Sequence, residues 1–252
     1  MDSRRRKVVR GPCFIGPAVL YVLLFGVWLC GVLLLGIVWL TGCNSEPTTT
    51  SKRAQAAPVE QVAEGTIVAV GDSLTAGLGV AEDLAYPAQL ARKLKADGFS
   101  YAVVNAGVSG ETSSGARSRI EWVISALNPD IVILETGAND GLRGIDPKLL
   151  ETNLDQICAI LKANNIQVIL TGMLMLPNLG PEYTRAFSTI YPRVAQKHQV
   201  IFMPFFLKDV AGEPRLNQPD RIHPTEQGYA RITDNIYPYV LKAIERHRLL
   251  QH

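Results

Sequence analysis

Thr66-Ile67-Val68-Ala69-Val70-Gly71-Asp72-Ser73-Leu74 begins as an unbroken apolar run and ends on a glycine, an acid and a serine. A strand with one wet face alternates apolar and polar residues, whereas a strand covered on both faces reads as a continuous apolar stretch. Residues 66 to 70 therefore predict a central parallel strand. Tyr101 to Asn105, Ile131 to Leu134, Val168 to Thr171 and Val200 to Met203 read in the same way. Helix-period segments fall between them. Tyr86, Leu90 and Leu94 recur every fourth residue, with Pro87 at a first helical position. Asp146 and Pro147 open a helix with Leu150, Leu154, Ile157 and Leu161 on one face. Tyr183, Phe187, Ile190 and Val194 make a third, kinked by Pro192, and a last one runs from Pro224 through Tyr229, Ile232 and Ile236 until Pro238 disturbs it. Five strands separated by helices predict a three-layer α/β/α fold, a doubly wound parallel sheet with its site at the carboxyl ends of the strands.

Outside this body the chain changes character. Arg4, Arg5, Arg6, Lys7 and Arg10 precede a stretch free of charge from Gly11 to Ser45. Its 23 residues from Ala18 to Leu40 would make a helix of roughly 34 Å, enough to cross a bilayer core of about 30 Å. Leu40-Thr41-Gly42-Cys43 resembles the lipobox of bacterial lipoprotein signals, which makes Cys43 a lipidation candidate. A lipoprotein signal, an uncleaved transmembrane anchor and a plain secretory signal all fit. Each leaves the basic start in the cytoplasm and exports the rest, and the first two also anchor it, so the expected location is the cell envelope, membrane-anchored, with the body outside the cytoplasm. Residues 44 to 64, rich in Thr, Ala and Pro and without aromatics, read as a flexible tether. The division expected is thus 1–43 leader, 44–64 tether and 65–252 globular domain.

The formal net charge of +2 separates along the same line, +4 in residues 1 to 43 and −2 in the remainder. A mildly acidic body without a basic stripe argues against nucleic acid as a partner. Beyond the leader Cys158 is the single cysteine, so no internal disulfide forms there. It lies on the apolar face with Leu154, Ile157 and Leu161, which reads as a small buried hydrophobe; no metal set follows from it.

Ser73 falls where the first strand ends, just before a predicted helix, and is a nucleophile candidate, although a serine there can also be a mere helix cap. Position 75 is Thr, so the Gly-x-Ser-x-Gly elbow is absent. A serine hydroxyl needs a base. Of the four histidines, His198, His247 and His252 lie in polar or charged surroundings and read as solvated. His223 follows Asp220 by three residues in Asp220-Arg221-Ile222-His223-Pro224, where the carboxylate can hold the Nδ1 proton and leave Nε2 for Ser73. Donors for an oxyanion are offered by two predicted loops, Asn105-Ala106-Gly107 and Gly137-Ala138-Asn139-Asp140. Taken singly, Gly107 and Gly137 read as turn glycines. Asp72 and Asp140 are rival acids that sit where they would brace their own loops.

GDSL at 71–74, Gly107 in NAGVSGETS, GAND at 137–140 and DRIHP at 220–224 together resemble the four sequence blocks of the SGNH (GDSL) hydrolases, in order and spacing. The likeness extends over nearly all of residues 65 to 246 and is greatest to the bacterial thioesterase/lysophospholipase/arylesterase branch. It implies a flavodoxin-like sheet and a serine carboxylic ester hydrolase that works through an acyl-enzyme, without metal or organic cofactor. It implies Ser73, Asp220 and His223 as the catalytic triad, and Ser73, Gly107 and Asn139 as the oxyanion hole. Gly141-Leu142-Arg143-Gly144-Ile145 would form a mobile loop over an acyl site. Met173, Leu174, Met175 and Leu176 could line a greasy wall of that site, while the two methionines read first as core packing. The expected partner is a small acyl ester or lysophospholipid, met by a monomer. Two further readings stay open: a carbohydrate or cell-wall O-acetylesterase, and a non-catalytic lipoprotein that only binds a ligand.

Overall fold

The computed structural model describes residues 63–175 and 177–251. The leader, Cys43, most of the tether, Leu176 and His252 lie outside the described residues. All five expected strands form: β1 (Gly65–Gly71), β2 (Tyr101–Gly107), β3 (Ile131–Leu134), β4 (Gln167–Thr171) and β5 (Ile201–Met203). They pair in parallel in the order β2-β1-β3-β4-β5. Every residue of β3 is fully buried. This is what an uninterrupted Ile-Val-Ile-Leu run requires, since each such side chain left in water would cost roughly 1.5–3 kcal/mol.

Seven helices accompany the sheet among the described residues: α1 (Ser73–Ala76), α2 (Tyr86–Ala96), α3 (Ser113–Leu127), α4 (Ala138–Leu142), α5 (Pro147–Ala163), α6 (Pro181–His198) and α7 (Glu226–Leu250). On one face α2 packs on α7; on the other α5 packs between α3 and α6. Asp146 caps α5 by accepting from the Lys148 N–H at 2.9 Å, with Pro147 as the first helical residue. Cys158 is buried on its inner face, and burial pushes the thiol up to about 12. Helices α6 and α7 continue through Pro192 and Pro238 as single elements, longer than their apolar periods suggested.

Several local expectations change. Helix α3 was not foreseen: its start, Ser113-Ser114-Gly115, is a poor helix former, yet Ala116, Ile120 and Val123 bury one stripe. Residues 105–107 are not a loop but the end of β2, paired in register with residues 69–71 of β1. Ser73 is not ahead of its helix but its first residue, and Ala138 starts α4 rather than continuing a loop. Two histidines read as solvated are packed. The last turn of α7 brings His247 back onto Tyr101, Nδ1 to hydroxyl at 2.9 Å, with Asp130 Oδ1 at 3.2 Å from Nε2. His198 Nε2 lies 2.7 Å from Asp155 Oδ1.

Candidate active site

The strand order reverses at β1, with β2 on one side and β3 on the other, and the carboxyl ends of these three strands carry the site. Where β1 ends, Asp72 caps α1: Oδ1 accepts from the Leu74 N–H at 2.9 Å. Ser73, nine-tenths buried, thereby starts a one-turn helix whose first N–H is among those that a helix leaves unused. Its Oγ lies 2.9 Å from His223 Nε2, across 150 residues of chain.

His223 sits in the loop between β5 and α7, and that loop is built around Asp220. Asp220 Oδ1 accepts from the N–H groups of Ile222 at 2.9 Å and His223 at 3.0 Å, while Oδ2 lies 2.7 Å from His223 Nδ1. The turn places Arg221 at a φ of 61°, in the left-handed region that side chains seldom enter. The imidazole hydrogen bond, then the two backbone amides, pull the Asp220 carboxyl down to about 2. An ionised carboxylate only accepts, so Nδ1 carries the proton and Nε2 presents its lone pair to the Ser73 hydroxyl. Gln218 ties the loop down: its Nε2 donates to Leu78 O at 2.7 Å, just past α1, and to Pro224 O at 2.9 Å.

Gly107 and Asn139 also arrive at this corner, but their donors are engaged. The Gly107 N–H donates to Asn105 Oδ1 at 3.0 Å. A Cβ on Gly107 would strike the backbone of α1, at 2.7 Å from Ala76 Cα and 2.8 Å from Thr75 C, so the residue is fixed by close approach rather than by a turn. Asn139 Nδ2 donates to Asp72 Oδ2 at 3.0 Å and to Glu111 O at 3.1 Å. Asp140 braces its own segment, accepting from the Ser113 N–H at 2.8 Å and Oγ at 2.5 Å.

Sequence reasoning passed over the groups that hold these donors. Glu111 is clamped by Arg119 through two bonds of 2.7 Å, which fixes the carbonyl that Asn139 reaches. Glu135, buried just after β3, supports α1 from below. An apolar cleft of about 360 Å³ is walled by Leu74 and Ile222, the chain neighbours of Ser73 and His223, and by Met173, Met175, Phe205 and Leu207. Met173 and Met175 thus serve both core and cleft. Of the five residues read as a loop over it, Gly141 and Leu142 belong to α4 and line the cleft. Arg143, Gly144 and Ile145 form a tied turn: Arg143 Nη2 donates to Gly110 O at 2.8 Å, Gly144 takes a φ of 62°, and Ile145 O accepts from the Tyr183 hydroxyl at 2.8 Å. Among the described residues no group of three or more His, Cys, Asp or Glu is gathered as a metal site would need.

Comparison with known proteins agrees with this architecture. The model of the GDSL-like lipase/acylhydrolase family matches residues 69–231. Esterase TesA of Pseudomonas aeruginosa is 38% identical over 179 residues, which covers 71% of this chain and 89% of the relative. The Escherichia coli (strain K12) protein named thioesterase 1/protease 1/lysophospholipase L1 is 37% identical, over 68% of this chain and 81% of its own. The crystal structure of the psychrotrophic esterase EstA from Pseudoalteromonas sp., inhibited by monoethylphosphonate, superposes with a TM-score of 0.69 at 32% identity, covering 72% of this chain and all of that one. The strand order, the GDSL turn at the switch point and a match spanning most of the domain agree: the chain belongs to the GDSL-like lipase/acylhydrolase family, the SGNH hydrolases.

Proposed function

We propose that the protein hydrolyses carboxylic esters by two-step acyl transfer on Ser73, with His223 as base and then acid and Asp220 as its orienting carboxylate. The observation that carries this is the unbroken relay from Ser73 Oγ to His223 Nε2 at 2.9 Å and from His223 Nδ1 to Asp220 Oδ2 at 2.7 Å. When Ser73 attacks, its proton passes to Nε2, the imidazolium is held against an ionised Asp220, and the same proton then goes to the leaving alcohol. Water activated by His223 clears the acyl-enzyme. The negative oxygen formed over Ser73 meets the Ser73 N–H first; the Gly107 N–H and Asn139 Nδ2 turn or share their present hydrogen bonds to join it. All these groups come from one chain, which supports action as a monomer.

The cleft supports an acyl rather than an acetyl preference, since its wall of Leu, Met, Phe and Ile offers apolar contact well beyond two carbons. Short to medium acyl esters, aryl esters and lysophospholipids fit this chemistry, in keeping with the names of the relatives. The basic start, the apolar stretch and the Leu40-Thr41-Gly42-Cys43 segment support export and tethering at the cell envelope. An alkylphosphonate ester tests the core of the reading. It is expected to block activity on p-nitrophenyl butyrate and to transfer its phosphonyl group to Ser73 with release of its leaving alcohol, adding the mass of the reagent less that alcohol to the peptide carrying Ser73, with no addition in Ser73→Ala. Stoichiometric label elsewhere, or full activity in Ser73→Ala, would refute it.

A further inference from the structure

Beneath the Ser73 turn stands a carboxyl group that the reaction as described leaves unused. Glu135 directly follows β3 and is fully buried. Its Oε2 accepts from the Asp72 N–H at 3.2 Å and from Thr75 Oγ1 at 2.9 Å, so the residue before Ser73 and the second residue after it hang on one oxygen. The fit is close, because a Cβ on Gly71 would lie 2.5 Å from Glu135 Oε2 and 2.6 Å from Glu135 O. Asp72, held here through its N–H, is also the residue whose Oδ2 holds the Asn139 amide, and the other oxygen of Glu135, Oε1, is buried without a hydrogen-bond partner. One buried group thus touches the support of the nucleophile and, through Asp72, that of the oxyanion amide.

We propose that Glu135 is a positioning residue for ester hydrolysis, fixing the Ser73 turn through Asp72 N–H and Thr75 Oγ1 and the Asn139 amide through Asp72. The proposal rests on the reading of Ser73 as nucleophile. The ionisable groups facing Glu135 are Asp72, Tyr86, Tyr191 and Tyr229. Burial, then the charge of Asp72, drives the Glu135 carboxyl well above its usual range. Asp72 is also raised by burial, but the Leu74 and Asn139 bonds and the contact with Glu135 hold it back. Two carboxyls in such an enclosure do not readily both ionise, which favours the proton on Glu135.

Glu135→Leu removes the anchor and is expected to lower kcat on p-nitrophenyl butyrate roughly 100-fold, with KM within about threefold, the scale of a misplaced reacting group. Glu135→Gln is expected to recover kcat to within about threefold, because its carbonyl oxygen accepts both bonds and its NH₂ replaces the acid proton. Phosphonate labelling of Ser73 should slow in step with kcat in the Leu variant, while the label still lands on Ser73. Label absent from Ser73 in the wild type would sink the nucleophile reading itself, a separate failure. Should Glu135→Leu not fold, Thr75→Val removes one of the two donors and is expected to lower kcat about tenfold at unchanged KM. Full kcat in a folded Leu or Val variant, or a Gln variant as impaired as Leu, would overturn the proposal. A thermal readout follows from the proton. Above pH ~4.3 the unfolded chain releases the Glu135 proton while the folded one keeps it, so Glu135 makes wild-type stability fall with rising pH, a contribution that Glu135→Gln lacks. The melting temperature of the Gln variant should gain on wild type between pH 5 and 8; a constant difference would refute the neutral form.

Discussion

Asn139 gives one amide two duties: it is the side-chain donor proposed for the oxyanion, and it satisfies a buried oxygen of Asp72. Asn139→Ala therefore acts twice. Losing an oxyanion donor should cost roughly 10² to 10³ in kcat, and stranding Asp72 Oδ2 should cost about 1–3 kcal/mol of stability. Ester kinetics and thermal unfolding on the same preparation check both, and an unchanged kcat would remove Asn139 from the site. The types of residue that act were legible in the sequence because serine, imidazole and carboxylate announce their chemistry at recognisable spacing. Glu135 and Glu111 were not legible. A lone glutamate after a strand looks like a solvated end, and only the pairing of β1 with β3, where the Glu135 N–H donates to Val70 O at 2.9 Å, puts it beneath the nucleophile.

At the level of elements, the strands were readable because burial on both faces leaves no polar residue to interrupt them. Their ends were not: Ala106 and Gly107 look like a turn, yet they complete β2, paired in register with Val70 and Gly71 of β1. From this follows the outcome at Gly107. Gly107→Ala drives a methyl into the α1 backbone and must displace the Ser73 helix from β2. Such overpacking should cost about 1–3 kcal/mol, and the displaced nucleophile should lower kcat by about 10². Unfolding in urea beside p-nitrophenyl ester turnover measures the pair; wild-type values for both would show that α1 yields freely. Helix α3 escaped notice for the opposite reason: its signal is three apolar residues behind a weak start, and its stability comes from the stripe it buries rather than from propensity.

For the whole molecule, the sequence carries two statements of different kinds. The body announces a layered α/β domain, which the strand order β2-β1-β3-β4-β5 then specifies. We propose that the leader is an address, and its test is chemical: if Cys43 bears lipid, Cys43→Ala should abolish incorporation of labelled palmitate and leave a precursor of higher mass. Palmitate incorporation that survives the substitution would exclude Cys43, and a chain that never took up label would point to the uncleaved anchor or the plain secretory signal. The distance along the chain between nucleophile and base has a further consequence. Ser73 precedes four of the five strands, whereas His223 follows the last of them, at the border of the sheet. During synthesis, hydrolytic power is therefore withheld until the final segment has docked. A polypeptide not yet complete carries its serine without a base, so no ester it meets before that docking is exposed to a finished catalyst.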